Sequence, residues 1–338
     1  MKVNGRYRVL FIVLTAVMLS GCSVGTKETP GQSSEITKES AEIFAMNTIM
    51  DLTVYAEHPS DILAAAKAEI YKYENLFSVN VESSDVAKLN GAGGQPVTVS
   101  PETYGLLRES VELSARTGGL FDISVFPVVR AWGFTTEQYR IPSEDERAEL
   151  VKEVDCTKIQ LLENNTVSMP EQMQIDLGGI AKGYLSQRLV ELFRERGVTA
   201  AVISLGGNVQ TFGRKPDGKP FTVGVTDPSN DSDMIGTVEV EEKAVITSGS
   251  YQRFFERDGV RYHHIMDTRT GAPAQSDLKS VTVVSDRGEL ADSLATALFV
   301  MGKEKAIAFD RENEDVQCIL VDDQNDVWVS DGIQWKEN

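Results

Sequence analysis

From Glu42 to Ala56 (EIFAMNTIMDLTVYA) apolar and polar side chains alternate, the period of a strand or hairpin. Asp61 to Phe77 shifts to a helical period, with Ile62, Ala66, Ile70, Tyr73 and Phe77 on one side and a cap from Ser60 or Asp61. Ser78 to Asn90 is polar, a loop with a short helix, and closes on a turn at Gly91–Gly94. Pro101 opens a second helix that runs to Arg116 and stops at Gly118-Gly119. The charged run Ser143–Lys152 predicts a surface helix, and strands are expected near Ile159–Leu162 and Met173–Asp176. A further helix carries Ile180, Leu185, Leu189, Leu192 and Phe193 on its apolar side. Ala201–Gly213 reads as a strand entering a Gly206-Gly207 turn. Short strands recur near Phe221–Thr226, Thr237–Val240, Ala244–Thr247, Gln252–Glu256, Val260–Ile265 and Val281–Ser285. Helices over Glu289–Met301 and Lys303–Arg311 and strands near Val316–Val321 and Val327–Val329 complete the chain. Helices and strands interleave without strict βαβ repetition or an internal repeat, which predicts a mixed α/β or α+β fold.

One turn stands out from this pattern. In IDLGGIAKG (175–183), an apolar strand end meets Asp176, the pair Gly178-Gly179, then Lys182 and Gly183 at a helix start. Paired glycines let backbone approach a ligand, and a helix start offers free N–H groups to an anion. The spacing matches neither GxGxxG nor GxxxxGK[ST]. Taken alone it is either a binding turn or a tight connection.

Composition narrows the partners. Among 338 residues, 33 Lys and Arg against 51 Asp and Glu give a net charge of −18, spread along the chain. Nucleic acid is excluded as a partner, because phosphate binding needs a basic face. An anionic substrate would need a local cation or a metal. The first 22 residues change the picture further. Lys2, Arg6 and Arg8 precede a short apolar stretch, Val9–Leu19, and the segment ends in Leu19-Ser20-Gly21-Cys22. This resembles a bacterial lipobox, with Cys22 as the acylated N-terminus. Residues 23–41, polar and rich in Ser, Thr and Glu, are expected to be a flexible tether, with the folded domain over 42–338. The protein is therefore expected outside the cytoplasm, held at a membrane by lipid.

Three places can carry chemistry. Asp292 and Thr296 lie four apart on a helix of otherwise apolar or small residues, so both oxygens share a face. That suits a hard cation such as Mg²⁺, although a helix cap and a back-bonded threonine fit the same residues. His263 and His264 are adjacent on a strand, so at most one enters a site, where it would serve as a general base. Thr247-Ser248-Gly249-Ser250 is a polar turn able to hold phosphate or simply to turn. Cys156 and Cys318 are a disulfide or two buried thiols, and neither has zinc-site spacing.

Taken in order, the segments AMNT, GGLFDISVFPVV, WGF, IDLGGIAKGY, SLGGNV, TSGSYQRFF, YHHIMDTRTG and ADSLATALFVMG resemble the FAD:protein FMN transferases, the ApbE/Ftp flavin-transferase family, over roughly residues 40–335. The resemblance implies an α+β, two-lobed fold with mixed sheets flanked by helices. It also implies a Mg²⁺-dependent transfer of FMN from FAD to a Thr or Ser hydroxyl of a target protein, with release of AMP. By the same resemblance Met46 packs on the flavin, with Asn47 where many relatives carry glycine. Asn80, Leu120, Phe121, Asp122, Asp176, Lys182 and Ile265 line the FAD site. The Gly179 carbonyl, Asp292 and Thr296 ligate the metal, and His264 is the candidate base. The expected acceptor is a flavoprotein of a membrane redox complex. Hydrolysis of FAD to FMN and AMP, with water entering near Phe77–Asn80, and a non-catalytic flavin carrier are the rival readings.

Overall fold

The computed structural model describes residues 35–338; the expected signal segment and Cys22 lie outside the described residues. Its centre is an eight-stranded sheet. In spatial order the strands are β1 (Thr37–Ala45), β2 (Thr48–Ala56), Ala200–Leu205, Asn208–Gly213, Ala244–Gly249, Leu278–Ser285, Gln317–Asp322 and Val327–Val329. Every strand pairing among the described residues is antiparallel, so the architecture is α+β. β1 begins at Thr37, so residues 37–41 of the expected tether are paired strand.

The strands are apolar on both faces because both faces are covered. Ala244, Ile246, Val281, Val283, Cys318 and Leu320 point to the helices, while Val245, Val284 and Ile319 point the other way. There they meet Phe221, Val223 and Val238 of a three-stranded sheet formed by Phe221–Asp227, Asn230–Val240 and Gln334–Glu337. Period-two geometry thus splits one continuous apolar run between two cores.

The helices are α1 (Pro59–Phe77), α2 (Asp85–Gly91), α3 (Pro101–Arg116), α4 (Phe126–Ala131), α5 (Glu144–Leu150), α6 (Ala181–Glu195), α7 (Gly288–Met301) and α8 (Lys303–Glu312). α1, α6 and α7 pack on the sheet, and α6 packs on α7. α7 is buried nearly all round, which its apolar composition requires. α6 and α7 meet at their N-terminal ends through Gly183 and Gly288. A Cβ on Gly183 would lie 2.2 Å from the Gly288 carbonyl oxygen, so backbone approach there demands glycine.

Two local expectations give way to side-chain hydrogen bonding. Met173–Asp176 is extended but belongs to no sheet. Asn90 takes the place of a neighbouring strand: Ile175 N–H donates to its Oδ1 at 2.7 Å, and its Nδ2 donates to the Ile175 carbonyl at 2.8 Å. α1 starts at Pro59, ahead of the expected caps, with His58 at the cap position and no side-chain cap, and Ser60 inside the first turn donates its hydroxyl to Glu39 of β1 at 2.5 Å. A third small core gathers Trp132, Phe134, Phe255 and Met266, and ties the hairpin Phe254–Arg257/Val260–His263 to the α4 region.

Candidate active site

A cavity of about 500 Å³ opens where the β1–β2 turn, the α6 start, α7 and the segment after Val260–His263 converge. At its edge Met46 and Asn47 form the two-residue β1–β2 turn, with φ of 48° and 58°. A hairpin turn of this kind needs two left-handed residues, and asparagine tolerates that conformation better than most. Asn47 therefore takes this conformation at little cost. Methionine at positive φ is a strained choice, and the Met46 N–H is held by Glu74 Oε1 at 2.7 Å.

Asp292 projects from the second turn of α7 and is 5% exposed. Its Oδ2 accepts the Gly183 N–H of α6 at 2.9 Å, and its Oδ1 accepts Asn208 Nδ2 at 2.9 Å. The carboxylate thus sits on the first turn of α6, where unpaired N–H groups favour negative charge. Thr296, one turn on, shares a hydrogen bond with Ser248 at 3.2 Å. Both Asp292 and Thr296 line the cavity, as does Gly179.

Among the described residues no group of three or more His, Cys, Asp or Glu gathers, so an all-protein metal cage is absent there. One carboxylate, one hydroxyl and one carbonyl are all hard oxygens. That set fits Mg²⁺, which keeps several water or phosphate ligands of its own.

Asp176 and Lys182 both fold toward Gly178. Asp176 Oδ1 accepts the Gly178 N–H at 2.8 Å, and Lys182 Nζ donates to the Gly178 carbonyl at 3.3 Å. Burial pushes the Asp176 carboxyl up, against the Gly178 bond and the charges of Arg253 and Lys182. Neither Gly178 nor Gly179 takes a positive φ, so the pair serves close approach rather than an unusual backbone.

The strand Val260–His263 ends at the first of the adjacent histidines, short of the expected Ile265, and the two side chains divide between core and cavity. His263 is buried, with Nε2 on the Ala274 carbonyl at 3.1 Å and its ring edge-on to Phe299. His264 lines the cavity, and its Nδ1 lies 3.2 Å from the Arg253 carbonyl. A carbonyl only accepts, so Nδ1 carries the proton and Nε2 keeps a free lone pair. Burial, then the charge of Arg253, pushes His264 down to about 3.

Met46, Leu120, Phe121, Asp122 and Ile265 also line the cavity. Asp122 spends its carboxylate inward. It accepts Ser124 N–H and Oγ at 2.8 and 2.6 Å, Cys156 N–H at 3.0 Å and Ser114 Oγ at 3.3 Å. Its work is to fix the wall. Asn80 is the exception: it is exposed and outside the lining. α1 ends with Phe77 packed on Tyr73 and Tyr184, and the loop beyond folds on itself. There Ser84 Oγ donates to the Ser78 carbonyl at 2.6 Å and Asn80 N–H to Ser78 Oγ at 3.1 Å. Sequence reasoning passed over Asn208, Arg253 and Thr268, which also line the cavity. The first two lie inside SLGGNV and TSGSYQRFF, but nothing in those strings says which side chain faces inward.

Residues 46–320 match the model of the ApbE family. The chain belongs to the ApbE family. Its relatives include the FAD:protein FMN transferase of Treponema pallidum, 33% identical over 92% of this chain and 91% of that protein. One from Klebsiella pneumoniae is 37% identical over 77% of this chain and 82% of that protein. Among solved structures, the ApbE protein of Thermotoga maritima superposes with a TM-score of 0.82 at 33% identity, covering 87% of this chain and 97% of that one. The apo flavinyl transferase ApbE of Pseudomonas stutzeri gives a TM-score of 0.77 at 25% identity, covering 91% and 96%. The ApbE fold therefore accounts for the eight-stranded sheet with helices on one face and a three-stranded sheet on the other, and for the cavity where α6 and α7 begin.

Cys156 and Cys318 are both buried and unpaired. Burial and the neighbouring Asp122 push the Cys156 thiol up to about 12, and burial raises Cys318 likewise. No helix among the described residues is long and apolar enough to cross a membrane.

Proposed function

We propose that this protein moves FMN from FAD onto a threonine or serine hydroxyl of a partner protein, releasing AMP, with Mg²⁺ bound at Asp292, Thr296 and the Gly179 carbonyl. The observation that carries the reading is one cavity holding an apolar wall (Met46, Phe121, Ile265), a hard-oxygen set and a proton-accepting imidazole. An apolar wall suits a flavin ring, and hard oxygens suit a metal-bound pyrophosphate. Bound there, the ion would offset charge developing on the phosphate oxygens.

The chain's own residues perform the rest. Asn208 and the α6 N–H of Gly183 aim the Asp292 carboxylate. Lys182 places a cation where an otherwise acidic protein must accept a dianion. His264 Nε2 takes the proton of the incoming hydroxyl, whose oxygen bonds to the phosphorus of the FMN half. The bond from that phosphorus to the bridging oxygen breaks, and AMP leaves. Burial makes His264 by itself a weak base. Anionic phosphates bound beside it raise its proton affinity, so base strength appears with the substrate. The acceptor is read as a flavoprotein of a membrane redox complex, and the enzyme as held at the outer face of the membrane through Cys22.

Intact-mass spectrometry of a threonine-bearing acceptor, incubated with the enzyme, FAD and Mg²⁺, tests the reading. The expected result is an added FMN, absent with EDTA or with Asp292→Ala. An unmodified acceptor with free FMN and AMP makes the protein a hydrolase, and intact FAD makes it a carrier. Cys22→Ser should release the protein from membranes; retention of the variant there would refute the lipid anchor.

A further inference from the structure

Two cationic side chains line the cavity, Lys182 and Arg253, and the reading above gives Arg253 no task. Arg253 stands just before the strand Phe254–Arg257. Its Nη2 donates to the Phe134 carbonyl at 2.6 Å, so the aromatic core holds the guanidinium from one side. No ion pair joins it to a carboxylate among the described residues. Of its neighbours on the same hairpin, Arg257 likewise donates to a carbonyl, that of Tyr139 at 3.3 Å, and Arg261 pairs with Glu256 at 3.3 Å, but neither lines the cavity. Asp176, the cavity carboxylate that feels the charge of Arg253, spends an oxygen on the Gly178 N–H and makes no ion pair with it, so the guanidinium keeps N–H groups for an anion in the cavity.

The backbone of the same residue holds the candidate base. The Arg253 carbonyl accepts the His264 N–H at 3.0 Å and faces the His264 Nδ1 at 3.2 Å. An anion gripped by the guanidinium is therefore delivered beside His264 by one rigid piece of hairpin, buttressed by Phe134 edge-on to the imidazole at 6.4 Å.

Resting on the transferase reading, we infer that Arg253 grips the pyrophosphate oxygens of the dinucleotide and so fixes the reacting phosphorus beside His264. A guanidinium presents parallel N–H groups that match two phosphate oxygens, whereas an ammonium is a point charge. Arginine is thus the residue that sets orientation as well as charge.

The test is flavin binding to the full chain, wild type against Arg253→Met and Arg253→Lys, by fluorescence titration with FAD and with riboflavin, which has no phosphate. Loss of a charge-assisted pair predicts FAD binding weaker by about 10- to 100-fold in Arg253→Met, with riboflavin within ~2-fold of wild type. Arg253→Lys, the milder variant should the methionine fail to fold, keeps the charge without the fork and should fall between. Inorganic pyrophosphate should raise the thermal midpoint of wild type but not of Arg253→Met. FAD binding within ~3-fold of wild type in Arg253→Met, equal losses for FAD and riboflavin, or equal pyrophosphate shifts overturn the inference. Wild-type protein that binds neither flavin overturns the transferase reading itself.

Discussion

Glu109 of α3 faces Glu289 in the first turn of α7, and the two carboxylates share Arg287. Arg287 Nε donates to Glu289 Oε1 at 2.8 Å and its Nη2 to Glu109 Oε1. Glu289 Oε2 is buried without a hydrogen-bond partner, so the single cation does not satisfy both acids. Burial, then the charge of Glu289, lifts Glu109 from its ordinary 4.5 to about 7, against the opposing pull of Arg287. Glu109→Gln removes the ionisation and keeps a donor for Glu289. The folded state binds the proton more tightly than the unfolded state, so wild-type stability is greatest below 4.5 and falls as pH rises to about 7. At ~1.4 kcal/mol for each tenfold change in proton affinity, reduced by solvent screening at this half-buried pair, the full loss is roughly 1–2 kcal/mol. The variant should therefore gain on wild type as pH rises from about 5, by roughly 1–2 kcal/mol near pH 8, where the difference levels off. Urea unfolding across that range measures it. A difference that does not change with pH, or a variant weaker than wild type near pH 8, refutes the account of this pair.

Other consequences follow from contacts elsewhere. Gly183→Ala forces a methyl against the Gly288 carbonyl and Asp292, so it should cost about 1–3 kcal/mol of stability and weaken Mg²⁺ binding measured by calorimetry. His264→Gln should lower the transfer rate by ~10²–10⁴-fold while FAD affinity holds, and a rate within ~3-fold of wild type would remove the histidine as base. Asn80→Ala, in an exposed loop outside the cavity, should leave both FAD affinity and turnover unchanged. Cys156 and Cys318 should react with a thiol reagent only as the chain unfolds, which stopped-flow labelling in denaturant can follow.

Much of the architecture is written in the order of residues. Hydrophobic period separates β2 from α1, and Pro101 and the Gly118-Gly119 pair frame α3 to the residue. Local geometry suffices there, because propensity, capping and alternation act over a few neighbouring positions. The shared face of Asp292 and Thr296 follows from helix period alone, whereas His264 lies one residue past the strand Val260–His263 and is held at the cavity by the Arg253 carbonyl. Other features depend on groups far apart in the chain. Met173–Asp176 has a strand's composition, but Ile175 bonds to the Asn90 side chain and the Asp176 N–H to the Ile123 carbonyl, partners no local rule could supply. Asp122 and Asp292 are both buried acids. One is consumed by Ser124 and Cys156, while the other is held between α6 and the Asn208 strand at the cavity. Asn80 falls outside and Arg253 falls inside for the same reason. Whether a side chain reaches a cavity is set by how distant segments pack, and sequence period fixes only the face it leaves from.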